Sequence, residues 1–304
     1  MTKRWRPPAG SMVPYMGRIL VIGATGRVGR RVISQLGGTS ARVRVLVRDP
    51  QAAKLPLHVE VVRGDLTVSE TLGECLDSVD TVFLVWTAPP AAVDAALAPI
   101  TKRVRRIVFL SSPWKTAHPF FQQPNPIRLL HEQIERRIET SGCEWTFLRP
   151  GMFAANAIGW WASDIRAGLD HVRWPYAAVA TAPIDERDIA AVAVRALCED
   201  RHARAEYVLT GPQSMSQRDQ LSTIGAVLGR PLRMEEMSPD DAPREMFGGK
   251  APGTVNMLLD AWGAAIGWPA HVTSTVEAIT GAPARTFREW VTDHAEFCGK
   301  AGLQ

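Results

Sequence analysis

A doubly wound α/β fold, with a parallel sheet covered by helices on both faces, is predicted by three features of this 304-residue chain. Short aliphatic runs alternate with helix-periodic segments throughout the first half. The first run, Arg18–Ile22, passes directly into Gly23, Gly26 and Gly29, spaced Gly-x-x-Gly-x-x-Gly. A helical pattern starts at once behind those glycines. Repeated strand–helix alternation of this kind builds a parallel, Rossmann-type sheet. The looser second half is expected to add a smaller C-terminal α+β domain.

The elements follow in order. Strand Arg18–Ile22 leads to a helix from Gly26 to Leu36, then strand Val43–Val47. Strand His58–Val62 precedes Gly64-Asp65-Leu66-Thr67, where Thr67 and Glu70 are spaced as a capping box that opens another helix. Strand Thr81–Val85 comes before an Ala-rich helix from about Ala91. Strand Arg106–Leu110 precedes a helix from about Pro126 to Ser141, and strand Glu144–Leu148 follows. Three segments result: a flexible tail over residues 1–16, a nucleotide-binding core over 17–150, and a mainly substrate-binding portion over 151–304. The tail contains Met12 and Met16 as alternative starts.

The glycine segment suits a pyrophosphate. Glycines let the backbone approach the ligand, and the helix N-terminus turns free N–H groups and a positive dipole end toward it. Gly23, Thr25, Gly26, Arg27, Val28 and Gly29 are therefore the candidate dinucleotide loop. The tip of the second strand, about 20 residues on, should meet the adenosine ribose. Arg48 comes first there, and a guanidinium pairs with the 2′-phosphate of NADP, whereas an acidic side chain would accept from the free hydroxyls of NAD. Lys54 and Arg27 would add positive charge. Two other readings stay open: Arg48 as a solvated surface charge, and Asp49 as the ribose acceptor. Asp49 precedes Pro50, so a capping role accounts for it. NADP is the expected cofactor.

In such a sheet the binding crevice lies at the carboxyl ends of the strands. Those ends carry Asp65 and Leu66 (toward the adenine), then Trp86, Thr87, Ser111, Ser112, Pro150 and Gly151 toward the nicotinamide. Beyond them Trp114, Met152, Phe153, Trp160, Trp161 and Trp174 are candidate walls of an apolar pocket for a flat, conjugated molecule. About half of these aromatic side chains are expected to be core instead. The bend Gly248–Gly253 is a candidate lid.

Composition narrows the classes. The net charge of +4 is spread along the chain with no basic block, and only six residues are lysine, so a nucleic-acid partner is not expected. Cys75, Cys143, Cys198 and Cys298 lie far apart and form no CxxC pair, which reads as reduced thiols and no metal site. No apolar stretch approaches the ~18 residues needed to span a bilayer, and no signal-peptide core precedes the first strand. A cytoplasmic monomer or homodimer acting on a small molecule is expected.

The chain resembles the NmrA-like branch of the atypical short-chain dehydrogenase/reductases. The resembling pieces include Gly23–Gly29, Leu46-Val47-Arg48-Asp49-Pro50, Arg63-Gly64-Asp65-Leu66, Ser111-Ser112 and the stretch His131 to Glu135. They continue with Ser141–Phe153, Pro183–Ala190 and Tyr207–Pro212, in the right order over about residues 17 to 235. The resemblance implies an NADP-binding Rossmann core and a small substrate domain. It admits reductases of quinones, dyes and phenylpropanoids as well as redox-sensing regulators without catalysis.

The wider short-chain dehydrogenase family transfers protons with a Tyr-x-x-x-Lys pair, which is absent here. Four residues after Tyr15, Tyr176 and Tyr207 stand Ile19, Ala180 and Gly211. NmrA-like members commonly lack the pair, so its absence fits the resemblance and demotes epimerisation and ordinary alcohol oxidation. His131 and Ser112 remain as candidate catalytic residues. Ile127, Leu130, Ile134 and Ile138 form the expected buried stripe of their helix. His131 falls at the stripe's edge, either as a proton donor or as a packed histidine. The leading expectation is an NADPH-dependent reductase of electron-poor aromatic, quinonoid or enone molecules, of the kind found in secondary metabolism. An NADP-sensing regulator and an NADP-containing enzyme of non-redox rearrangement are the alternatives.

Overall fold

The computed structural model describes residues 17–249 and 252–298, so the expected 1–16 tail and part of the Gly248–Gly253 bend lie outside the described residues. The chain runs β1 (Arg18–Ile22), α1 (Arg27–Leu36), β2 (Arg42–Val47), β3 (Glu60–Arg63), α2 (Leu72–Cys75), β4 (Thr81–Leu84), α3 (Val93–Arg103) and β5 (Arg106–Leu110). It continues through α4 (Pro119–Gln122), α5 (Pro126–Glu139), β6 (Glu144–Pro150), α6 (Asn156–Arg166), β7 (His171–Trp174), β8 (Ala180–Thr181), α7 (Glu186–Cys198) and β9 (Ala205–Leu209). The remainder is β10 (Met215–Ser216), α8 (Gln217–Leu228), β11 (Arg233–Glu236), α9 (Ala242–Glu245), α10 (Pro252–Ala264), α11 (Thr275–Thr280) and α12 (Phe287–Asp293).

The main sheet has seven strands in the order β3-β2-β1-β4-β5-β6-β9, and every pairing in it is parallel. Alternate residues of β1 feed two different cores, as period-2 geometry requires. Ile19 and Val21 pack with Val28, Val32 and Leu36 of α1 and Ile189 and Ala193 of α7. Leu20 and Ile22 pack on the other face with Leu97 and Ile100 of α3 and Ile134 and Ile138 of α5. Helices thus cover both faces.

A third core, built around Trp161, Trp174, Trp262 and Trp290, holds together α6, β7, α8, β11, α10 and α12. Two short sheets, antiparallel β8/β10 and parallel β7/β11, belong to this smaller α+β part. The chain after residue 150 serves both parts, because β9 pairs with β6 and α7 packs on α1. The amino end of α7 clasps the carboxyl-terminal segment. Glu186 accepts from Trp290 Nε1 at 3.0 Å, and Asp188 accepts the Arg285 amide at 2.7 Å.

Two local expectations are corrected. Thr67 does not cap a helix: its N–H and hydroxyl both donate to Asp65 Oδ1 at 2.8 Å, and the turn that follows, Ser69–Thr71, has no side-chain cap. An Asx turn has taken the donors that a capping box would have used. In α5 the buried stripe holds only at Ile134 and Ile138, while Ile127 is exposed and Glu135 takes an interior place.

Glu135 is buried because its carboxylate is saturated. Oε1 accepts from Ser111 Oγ at 2.6 Å and Arg149 Nε at 2.9 Å; Oε2 accepts from Arg149 Nη2 at 2.6 Å and Trp114 Nε1 at 3.1 Å. Arg149 also pairs with Glu206 of β9. The bidentate pair therefore ties α5, β6, β9 and the loop after β5 together. Glu135→Ala should cost about 3 kcal/mol in urea unfolding, since it leaves the buried guanidinium with Glu206 alone and takes the acceptor from Ser111 and Trp114. The double change Glu135→Leu/Arg149→Met should recover most of that loss; equal losses for both proteins would show that the pair does not act as a unit.

Candidate active site

The glycine loop is shaped by contacts that exclude side chains. Gly23 has φ +83°, and a Cβ there would lie 2.6 Å from Val85 Cβ at the end of β4. At Gly29 a Cβ would come within 2.2 Å of the Gly23 carbonyl oxygen, so glycine lets α1 close onto the loop. Gly26 is the N-cap residue of α1 and makes no side-chain capping bond; no acidic residue occupies the first turn. The first N–H groups of α1 thus have no helical acceptor and face an uncompensated positive dipole end.

These residues border an open cleft of about 440 Å3 at the carboxyl ends of β1 to β4, lined by Gly23, Thr25, Gly26, Arg48, Asp65, Leu66 and Thr87. The Arg48 guanidinium makes no hydrogen bond or ion pair among the described residues, and its charge helps to hold the Asp65 carboxyl below its ordinary range. The larger causes of that lowering are the backbone and hydroxyl hydrogen bonds from Thr67. Asp49 also lines the cleft, and its Oδ1 accepts the Gln51 and Ala52 amides at 3.0 and 3.3 Å, the capping role expected of it before Pro50.

Arg27 and Lys54 do not line the cleft, and Val28 is packed in the core. The chain beyond Pro50 is a turn rather than a helix, which leaves the exposed Lys54 side chain without the expected helical placement. Arg30 stands there instead. Its Nε donates to Thr25 O at 2.9 Å and its Nη1 to Lys54 O at 2.7 Å, bracing the glycine loop against the segment after β2. An arginine one turn into an amphipathic helix gave no sequence signal for that role.

Further along the rim the expected side chains separate. Trp86 turns inward and donates to Ala88 O at 2.6 Å. Ser111 and Trp114 are bound to Glu135, and Arg149 lies over the Trp114 ring at 5.4 Å, so neither side chain is free to meet a ligand. Ser112 Oγ and His131 Nδ1 are buried without a hydrogen-bond partner. Burial pushes the His131 pKa down to about 4, so the imidazole is neutral at physiological pH. Its ring meets Phe109 edge-on at 5.4 Å.

Pro150 ends β6, and the Gly151 amide donates to Leu209 O at 2.9 Å. Phe153 bridges to Ile184 and packs on the sheet core. Gly151 and Met152 border a narrow hollow of about 10 Å3 with Phe121, an aromatic residue of the loop after Ser112 that the sequence also offers as a pocket wall, and with His118, Thr210 and His271, which it does not single out. His118 Nε2 contacts Pro269 O at 2.9 Å, which ties the loop after β5 to the segment before α11. Trp161 and Trp174 belong to the third core, and Trp160 and Trp174 line a separate cavity, so none of the three reaches this hollow. Trp160, Trp161, Trp174 and Trp262 pack ring to ring because the smaller part must bury its own apolar surface.

Among the described residues no His/Cys/Asp/Glu group is arranged to hold a metal, and no helix is long and apolar enough to cross a membrane. Cys75, Cys143 and Cys198 are free thiols; burial raises Cys75 and pushes Cys198 up to about 12, so both are held as unreactive thiols.

Comparison with known proteins agrees with this geometry. An NAD(P)H-binding family model matches residues 23–200. The chain is 36% identical to a (4-alkanoyl-5-oxo-2,5-dihydrofuran-3-yl)methyl phosphate reductase from Streptomyces griseus, over 91% of this chain and 98% of the relative. It is 34% identical to an NAD(P)H azoreductase from Xenophilus azovorans, over 93% of this chain and 100% of the relative. In fold it is similar to an NADPH-dependent quinone oxidoreductase from Escherichia coli, with a TM-score of 0.76, 22% identity, and coverage of 91% of this chain and 99% of that one. With the glycine loop, the open cleft and relatives aligned over nearly the whole chain, the protein belongs to the NAD(P)H-binding family of atypical short-chain dehydrogenase/reductases, and it is an oxidoreductase that uses a nicotinamide cofactor.

Proposed function

We propose that the protein is an NADPH-dependent reductase of electron-poor conjugated small molecules: quinonoid, azo or enone acceptors. The observation that carries the reading is the pair of relatives above 30% identity. Both are named as reductases, and both names describe a conjugated, electron-poor group. A bound NADPH supplies the hydride. The open amino end of α1 receives the pyrophosphate, Arg48 pairs with the 2′-phosphate, and Arg30 keeps the loop in place. Asp65, Leu66 and Thr87 border the rest of the cofactor.

On the acceptor side the available polar atoms are uncharged. Ser112 Oγ and Nδ1 of the neutral His131 imidazole are buried without a partner and line neither the cleft nor the hollow, so they would bond a carbonyl, azo nitrogen or carboxamide only once the rim opens to a ligand. With its pKa near 4, His131 is rarely a cationic acid at neutral pH, so water is the favoured final proton source. The narrow hollow beside Gly151 and Met152 holds no more than about one water. An acceptor that used this hollow would need the 118–121 or 270–273 segment to shift. That narrowness is also what favours the second reading, an NADP-binding protein that senses the cofactor or rearranges its ligand without redox change.

Three outcomes are expected. In calorimetry the protein binds NADPH more tightly than NADH, and Arg48→Ala removes most of the difference, about 1–3 kcal/mol for a charge-assisted partner. Equal affinities in the unchanged protein would defeat the assignment of Arg48. NADPH absorbance falls in the presence of quinones, enones or azo compounds, and Phe121→Ala, which widens the hollow, raises kcat/KM for the bulkier ones. No consumption across such a panel by protein that binds NADPH would transfer the reading to a sensor.

The third outcome is a pH effect. The folded His131 pKa lies below the usual 6.5, so between the two values the unfolded chain binds a proton that the folded chain does not. Stability should fall as pH drops from about 6.5 to about 4, and His131→Gln should remove roughly 2–3 kcal/mol of that fall. An identical pH profile for the variant in urea titrations would show that the ring is solvated.

A further inference from the structure

We propose that the cavity bounded by α6, β7 and the turn after α9 is a second small-molecule site, and that its ligand is a planar aromatic cation. The cavity measures about 390 Å3, within the ~300–1,000 Å3 of ligand pockets. It shares no lining residue with the nucleotide cleft or with the hollow beside Gly151. Asp164, on its wall, stands about 12 Å along the α6 axis from Asn156 at ~1.5 Å per residue.

The walls are preset. The Trp160 and Trp174 rings lie 5.6 Å apart, tilted by 37°, and Phe247 meets Trp174 edge-on at 6.4 Å. Trp174 is locked by donation from Nε1 to Gln217 Oε1 at 2.6 Å, and Gln217 Nε2 donates in turn to Tyr176 O at 3.1 Å. Phe247 adopts φ +54° and is followed by two left-handed glycines, Gly248 at +62° and Gly249 at +70°. A bulky residue in that region is strained, and such strain gathers at ligand clamps.

Gly159 supplies an independent indication. It sits inside α6, where glycine weakens a helix, yet its backbone is not left-handed and a Cβ would meet nothing within 4 Å. Neither packing nor backbone demands glycine there. Gly159 is exposed and borders the cavity, so a side chain there would stand in open space at its rim.

The charges on the wall select the ligand. Arg173 pairs with Glu245, and His171 pairs with Asp170 at 3.0 Å. The Asp164 carboxylate makes no hydrogen bond or ion pair among the described residues; its charge acts on the neighbouring His171, whose pKa it helps to raise behind the larger effects of Asp170 and Glu235. Indole faces attract cations through their quadrupole, and a nearby carboxylate adds the counter-charge. A flat cation satisfies both; a neutral ring satisfies one, and an anion is repelled.

The test compares N-methylisoquinolinium with its uncharged isostere isoquinoline at mildly alkaline pH, using tryptophan fluorescence and calorimetry on the full chain. The cation should bind saturably and about tenfold more tightly than isoquinoline, with or without saturating NADPH. Asp164→Asn should weaken the cation about tenfold and leave isoquinoline and NADPH unchanged. Gly159→Leu, which adds a bulky side chain at the α6 rim of the cavity, should abolish binding of both rings while the thermal midpoint holds or rises. No saturable binding, equal affinity for the two rings, an indifferent Asp164→Asn, retained binding in folded Gly159→Leu, or displacement by NADPH would each overturn the proposal. All the readouts are binding, so the result is independent of whether the protein reduces quinones or enones.

Discussion

The buried pair between Glu135 and Arg149 is the constraint on which the loop after β5 and the far edge of the sheet depend. Both side chains are almost wholly buried, and the carboxylate accepts four hydrogen bonds, two of them from Arg149. A buried ion pair returns little net stability against a well-packed apolar substitute. Its effect here is geometric. Ser111 and Trp114 are pulled onto α5, so the loop after β5 leaves the sheet in one direction. That loop then carries His118 to Pro269. Through Glu206, which also binds Lys115, the same arginine anchors β9 at the sheet edge. A fully satisfied network of this type admits few alternative arrangements.

The nucleotide side rests on a different device. The strand order changes direction at β1, flanked by β2 on one side and β4 on the other, which opens a crevice at their carboxyl ends. Gly23 and Val85 approach so closely across that switch point that only a residue without a side chain fits. The loop is therefore fixed by sterics from β4, by Arg30 from α1 and by the Gly26 amide donating to Gly23 O at 3.1 Å, while the first amides of α1 itself have no helical acceptor. Positive charge is held at this end by Arg48 and the α1 amino terminus.

Sequence reasoning read these two halves unequally, for physical reasons. The strands of the first half were legible almost to the residue, since apolar runs ending in glycine or proline leave few other folds. The glycine loop, Arg48 and Asp65 were legible because a phosphate-binding turn needs particular backbone freedom at particular spacing. Glu135 was not. Nothing in an isolated sequence says that a glutamate on a helix will face an arginine fourteen positions away on a buried strand. The tryptophans were only partly sorted, for the opposite reason: Trp160 and Trp174 line a cavity apart from the cleft, while Trp161 is core. A pocket wall and a core make the same demand for large apolar rings, so Trp161 and Trp174 could be sorted only by packing. Thr67 shows a third limit: a residue with capping chemistry serves whichever amide or carboxylate is nearest, and here that was Asp65.

Under the proposed function the distribution of charge matches the demands of the chemistry. The cofactor is anionic, and the cationic groups, Arg30 and Arg48, stand at its end of the cleft. The candidates proposed for the reacting end, Ser112 and His131, are a hydroxyl and an imidazole whose burial keeps it neutral. An acceptor with an isolated carbonyl would develop localised negative charge on hydride addition and would need an acid or a cation beside it. A quinone, azo compound or conjugated enone spreads that charge over several atoms, so neutral hydrogen-bond donors suffice and solvent completes the protonation. The missing Tyr-x-x-x-Lys pair and the low pKa of His131 thus restrict the chemistry in the same direction, toward acceptors that carry their own means of stabilising the charge.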